Sequence, residues 1–195
     1  MTFLMKVVIF LPNPLSNHFS MNLLFERIQS GSHPRLHGLM PLYFESFPPE
    51  ERRTSAELLR MLNVAEMYFS AITEEDQLIG LVAYWKFDRF HYLEHIALFP
   101  EQRRKGFGLG VLKQLQKEGK PLLLEAEIPY DMASTGRITF YNRSGFSALP
   151  VYYHQPPYRK GEEVVPMMLF SDKTDWEAEE LEQAVRLFQR KVYGA

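Results

Sequence analysis

The sequence contains no cysteine among its 195 residues. That excludes disulfides, a thiolate nucleophile and cysteine-ligated zinc, and it fits a reducing compartment. No stretch approaches the roughly 20 consecutive apolar residues that a membrane-spanning helix needs. The nearest candidate, Val7-Val8-Ile9-Phe10-Leu11, is short, and Pro12-Asn13-Pro14 after it lacks the small residues of a signal-peptide cleavage site. A basic excess is missing as well: the formal net charge is -2, which argues against a dedicated nucleic-acid binder. Internal repeats and low-complexity tracts are absent. Together these absences predict a cytoplasmic protein with no membrane and no nucleic-acid partner.

The remaining composition supports a packed core. Hydrophobic residues make up 46% and aromatic residues 14%, too many for a disordered chain. Residues 12–20 are rich in Pro, Asn and Ser and read as a linker. Residues 1–20 are therefore expected to be an N-terminal extension, or a stretch upstream of a start at Met21. Residues 21–195 are expected to form a single domain.

Apolar spacing predicts a strand at 23–28 and a helix at 33–47, capped by Ser32, with Pro34 in its first turn. A second helix is predicted at 50–62, with Ala56, Leu59 and Leu62 on its buried face. Runs at 66–73, 77–87 and 90–99 are joined by short polar turns and predict an antiparallel meander. The period then changes. Leu109, Leu112 and Leu115 mark a helix that begins near Gly106 and ends at Gly119 and Pro121. A buried strand at 122–126, a helix at 133–144 and strands at 147–153 and 164–170 follow. A last helix is expected over about 174–192, with Thr174 and Glu177 as a capping box. This order describes an α+β or mixed α/β domain.

The third strand of the meander runs into Arg103-Arg104-Lys105-Gly106-Phe107-Gly108, and a helix follows at once. A helix N-terminus presents free backbone N–H groups and a partial positive charge, so it attracts phosphate. Glycines there cost helix stability but let a ligand approach the backbone closely. The three cations can neutralise a diphosphate. The turn is not a Walker loop, because Gly-Lys-Ser/Thr is missing. It is not a dinucleotide fingerprint either, because the strands before it read as antiparallel.

Arg103-x-x-Gly106-x-Gly108 resembles the Arg/Gln-x-x-Gly-x-Gly/Ala signature of the GNAT superfamily of N-acetyltransferases. Phe140-Tyr141-Asn142-Arg143-Ser144-Gly145-Phe146 resembles that superfamily's second signature, a tyrosine shortly before Gly-Phe. The resemblance implies a central, mostly antiparallel sheet flanked by helices, with a splayed strand pair at the acyl-CoA site. It implies acetyl-CoA as acyl donor, no metal, and direct attack by an amine without an acyl-enzyme. The pyrophosphate would rest on Arg103, Arg104, Lys105, Gly106, Phe107 and Gly108, and the pantetheine arm on the backbone of Ile96, Ala97 and Leu98.

Tyr92-Leu93-Glu94-His95 resembles a Tyr-Ile-Glu-Asp segment of spermidine/spermine-type acetyltransferases, which makes Glu94 the expected base. His95 would take its place if a bulge shifts the register, since strand neighbours otherwise face opposite sides. Tyr141 is the acid that the resemblance implies. Tyr92, His95 and Tyr153 are the expected acceptor contacts. At the position where the superfamily often carries an Asn, this chain has Ser134. His91 and His95 stand about 13 Å apart along a strand, too far to share a metal. The acceptor is expected to be a small-molecule amine or a protein amine, and a homodimer is compatible with the sequence. The alternative reading is a non-catalytic CoA-binding or regulatory module of the same fold.

Overall fold

The computed structural model describes Val7–Val8 and residues 21–195. Apart from those two valines, the expected N-terminal extension and its linker lie outside the described residues.

In chain order the elements are β1 (Val7–Val8), β2 (Leu23–Arg27), α1 (Leu36–Ser46), α2 (Ser55–Met61), β3 (Met67–Glu74), β4 (Gln77–Lys86) and β5 (His91–Leu98). Then come α3 (Phe107–Gln116), β6 (Leu122–Glu127), α4 (Met132–Arg143), β7 (Ser147–Ala148), β8 (Tyr153–Gln155), β9 (Val165–Ser171) and α5 (Ala178–Phe188). The meander is present as expected. Its first hairpin turns on Glu75 and Asp76, both at positive φ (47° and 64°), the conformation that matches the twist of tightly connected strands.

The sheet runs β2-β3-β4-β5-β6-β9-β7, with β8 also on β9 and β1 on β5. It is mixed: β2 to β5 are antiparallel, and β6 lies parallel to β5. Each face carries its own apolar layer. One holds Tyr43, Phe69, Trp85 and Phe188 under α1, α2 and α5. The other holds Val111, Leu112, Phe140 and Phe170 under α3 and α4. Among the described residues, no helix is long and apolar enough to cross a membrane.

Several boundaries differ from the sequence reading. Residues 50–62 split into a short 3-10 turn and α2, because Thr54 and Glu57 form a capping box that starts the helix at Ser55. Its buried residue is Leu58, with Leu62 buried just past its end, while Ala56 and Leu59 are exposed. Residues 147–153 divide into β7 and the start of β8. The last helix begins only at Ala178, without a side-chain cap. Before it, the indole of Trp176 donates to Ser171 Oγ and packs edge-on against Phe90.

Two features of β5 position the site. It pairs with β6 only at His91, Tyr92 and Leu93, opposite Leu122, Leu123 and Leu124; beyond that rung the strands part. Its register with β4 also slips, from Ala83 opposite His95 to Tyr84 opposite Leu93, which leaves Glu94 as the extra residue of a bulge. On the far side of the bulge the β4 and β5 backbones approach closely at Gly80, where an added Cβ would lie 2.2 Å from the Ala97 carbonyl oxygen. Gly80→Ala is expected to lower stability by about 2 kcal/mol through overpacking, read as a fall in the urea midpoint.

Candidate active site

The first residue past the last β5–β6 rung is a glutamate on each strand, Glu94 and Glu125. On β6 simple alternation puts Leu123 and Glu125 toward the α1/α5 layer, and Leu122, Leu124 and Ala126 toward the α3/α4 layer. On β5 the bulge breaks alternation. Glu94 meets Arg53 and Trp85, and His95 meets Tyr43 and Phe47, all on the α1/α5 face. The expectation that Glu94 and His95 face opposite sides is corrected: the extra residue brings both to one face.

Glu94 is buried and fully engaged. It pairs with the guanidinium of Arg53 and accepts from Trp85 Nε1 at 2.7 Å and the Tyr158 hydroxyl at 2.7 Å. Burial by itself would push its pKa up. The Arg53 charge, His95 and the two hydrogen bonds outweigh burial and hold it at about 2. A carboxylate held so firmly ionised is a weak proton acceptor near neutrality. His95 is also committed. Its Nε2 donates to the Glu51 carbonyl at 2.9 Å, and its ring packs 4.3 Å from Phe47.

Glu125 has different company. Its carboxylate accepts from the hydroxyls of Tyr153 and Tyr193, the latter at 3.2 and 3.0 Å to its two oxygens. Tyr92 extends the set, with its hydroxyl 2.8 Å from that of Tyr193 and its ring stacked on Phe188 at 4.4 Å. Burial and the nearby carboxylates push the Tyr92 and Tyr153 phenols well above their ordinary range. Further along β6, Glu127 pairs with Arg137 of α4. The structure thus brings Tyr92, Glu94, His95 and Tyr153 to one face.

Tyr141 approaches from the other face. It is buried beside Phe146 and Phe170 in the α3/α4 layer, and its hydroxyl has no hydrogen-bond partner among the described residues. Burial raises its pKa above the usual phenol value. A buried hydroxyl left unsatisfied costs about 1–3 kcal/mol, so it marks a place where a ligand atom is expected.

The basic turn folds as a helix entry. Arg104 and Gly106 both take positive φ (63° and 89°), and Gly106 is the N-cap of α3. No acidic residue occupies the first turn of α3, so its N–H groups and partial positive charge are available to an anion. Arg103 Nε donates to the Leu98 carbonyl at 3.0 Å and Lys105 Nζ to Gln102 Oε1 at 3.1 Å, while Arg104 and Lys105 are exposed. Gly110 has a packing reason: an added Cβ would meet Leu23 at 3.0 Å. The side chain of Ser134 is occupied in a reciprocal capping box with Asp131, so it is spent on starting α4.

The edge of β5 that β6 vacates is where Ile96 and Ala97 pair with β1, Val7 opposite Ile96 and Val8 opposite Ala97, in parallel. β4 lines the opposite edge throughout, so β1 takes the backbone positions expected to receive pantetheine.

The sequence reading missed Arg53, Glu125 and Tyr193. Glu125 carries a legible signal, a charge inside the buried run Leu122-Leu123-Leu124-Glu125-Ala126. Arg53 does not, because Glu50-Glu51-Arg52-Arg53 reads as a solvated charge cluster. Arg53→Met is expected to cost about 3–5 kcal/mol by stranding the Glu94 charge, with Glu94→Gln in the same chain restoring part of it, both read by thermal melts. Because Glu94 is depressed from 4.5 to about 2, its contribution is complete above pH 4.5 and is lost as pH falls toward 2.

Residues 36–146 match the model of the Acetyltransferase (GNAT) family. A GNAT-family protein from Bacteroides thetaiotaomicron superposes with a TM-score of 0.81 at 33% identity, over 88% of this chain and 99% of that one. A GNAT family acetyltransferase from Elizabethkingia anophelis, solved with acetyl-CoA bound, superposes at 0.52 with 17% identity, over 77% and 97%. An acetyltransferase from Bacillus subtilis in complex with CoA superposes at 0.51 with 14% identity, over 80% and 99%. No curated protein matches the chain. At such identities the last two show likeness of fold alone.

Proposed function

The chain belongs to the GNAT acetyltransferase family, and from that premise we propose that it moves an acetyl group from acetyl-CoA to a primary amine by direct attack in a ternary complex. The observation that carries this reading is the convergence on the β5–β6 gap. Carboxylates reach it from one face, a buried phenol with no hydrogen-bond partner among the described residues lies in the layer on the other, and a basic helix entry closes the far end of β5. Acetyl-CoA supplies an activated thioester. The amides and cations of residues 103–108 would hold its pyrophosphate, and the backbone of Ile96, Ala97 and Leu98 would hold its pantetheine arm. The relatives solved with acetyl-CoA and with CoA support that donor.

The acceptor is proposed to be a small cationic amine. Glu94 and Glu125 lie buried where β5 and β6 part, and Tyr92, Tyr153 and Tyr193 stand beside them. Carboxylates beside aromatic rings favour an ammonium group. Glu125 is proposed to take the ammonium proton, in place of Glu94, whose charge is committed to Arg53. The freed amine then attacks the thioester carbonyl carbon. A backbone N–H on the open edge of β5 steadies the developing oxyanion. The tetrahedral intermediate loses the remaining extra proton of its nitrogen to water, and as the carbon–sulfur bond breaks to leave the neutral amide, Tyr141 gives its proton to the leaving thiolate. Tyr92, His95 and Tyr153 shape the acceptor side.

The test is thiol release from acetyl-CoA across a panel of small amines. Release above the uncatalysed rate with at least one amine is expected, and Glu125→Gln should lower kcat/KM about 100-fold and remove the acidic limb of its pH profile. Acetyl-CoA binding without turnover across the panel would instead favour a non-catalytic CoA-binding module.

β1 and the pantetheine arm claim the same backbone, so the donor must displace β1. A chain beginning at Met21 is therefore expected to bind acetyl-CoA about tenfold more tightly than the full chain, the worth of one or two backbone hydrogen bonds, by calorimetry.

A further inference from the structure

We infer that Tyr193, delivered by the chain's last helical turn, is a positioning residue for Glu125 that governs how readily this carboxylate takes the acceptor's proton. The inference rests on the reading of Glu125 given above. α5 does not end as an α-helix. At Gln189 it widens into one π-helical turn, Gln189–Tyr193, closed by Gly194 at φ 77°. Such turns are rare, and they re-aim the side chains that follow. Here the turn buries Val192 and directs the Tyr193 hydroxyl to both oxygens of Glu125.

Two of the contacts that fasten the turn belong to the site. Arg53 Nη2 donates to the Val192 carbonyl at 2.6 Å while its Nη1 pairs with Glu94. The Tyr193 ring packs edge-on against Tyr158 at 4.9 Å, and the Tyr158 hydroxyl donates to Glu94. The same turn therefore touches the surroundings of both carboxylates. Hydrogen-bond directions follow from chemistry. An ionised carboxylate only accepts, so Tyr193 donates to Glu125, and its oxygen then accepts from Tyr92. Tyr92, Tyr193 and Glu125 form a one-way chain, and Tyr153 donates to Glu125 from β8. Donors aimed at a carboxylate favour its charged form. Here they fix which way the oxygens of Glu125 point.

Ionisable groups among the described residues surround this chain from several elements. Tyr92 and Glu94 come from β5, Glu127 from β6, Tyr153 from β8, Tyr158 from the β8–β9 loop, and Arg53 from the loop before α2. Of these, only Tyr153 and Tyr193 have hydroxyls bonded directly to Glu125 among the hydrogen bonds described above. Tyr193 differs from Tyr153 in sitting on a single terminal turn instead of a sheet strand.

The experiment is the pH dependence of acetyl-CoA turnover, with the best amine of the panel, in the full chain and in Tyr193→Phe. The phenylalanine keeps the ring contact with Tyr158 and removes only the hydroxyl. The expected result is a fall in kcat of about tenfold, the size of one hydrogen bond to a charged group, with KM for acetyl-CoA unchanged and the acidic limb moved to higher pH. Tyr92→Phe should move the limb in the same direction by less, and it tests the chain without touching the terminal turn. An unmoved limb in both variants overturns the inference, whatever happens to kcat, because loss of packing alone lowers the rate without shifting the limb. If Glu125→Gln itself keeps the limb, the assignment of Glu125 as base falls and this inference falls with it. If Glu125→Gln loses the limb while the tyrosine variants keep it, only the inference falls.

Discussion

A buried carboxylate at the turning point of a strand organises this molecule. Glu94 is the extra residue of the β5 bulge, so its side chain lies in the interior, where an unpaired charge would cost several kcal/mol. The fold answers with one counter-charge and two neutral donors drawn from distant stretches of chain. Arg53 comes from the loop before α2, Trp85 from β4 and Tyr158 from the loop after β8. Arg53 then spends a second donor on the Val192 carbonyl, which ties the C-terminal turn to the same point. Cation–π contacts of Arg53 with Tyr158 at 4.9 Å and Trp85 at 5.7 Å complete the enclosure. Stability and site geometry therefore share one set of side chains.

That sharing explains the unequal treatment of two glutamates that look equivalent by topology. Both follow the last β5–β6 rung and both face the α1/α5 layer. Glu94 meets a guanidinium and becomes a fixed negative charge. Glu125 meets phenols, whose hydroxyls orient its carboxylate. A pair of like groups separated by their surroundings is a common arrangement where one group must be inert and the other must exchange protons.

Much of the fold was legible because its signals are local. The meander showed as alternation between short polar turns, and the basic helix entry showed as cations and glycines between a strand and a helix. The boundary that slipped at α2 was decided by a single contact, Thr54 with Glu57. In the candidate site, position was easier to read than chemical state. Glu94 could be singled out from its strand, but its partners lie 41 and 64 residues away, and no local pattern announces them. The bulge that brings His95 to the same face was equally silent, because a one-residue slip leaves no mark on composition. Arg53 and Val192, 139 residues apart, meet only through the finished sheet.

The placement of Tyr141 on the opposite side of the sheet from Glu125 has a consequence for the catalytic cycle as a whole. On the roles proposed, one face ends each turnover holding a proton too many, and the other ends it holding one too few. The acceptor enters as an ammonium and leaves as a neutral amide, while the donor leaves as a neutral thiol. Two independent exits to bulk water are then needed to restore the resting state. Recovery, and not bond making, becomes the step that each face must accomplish alone.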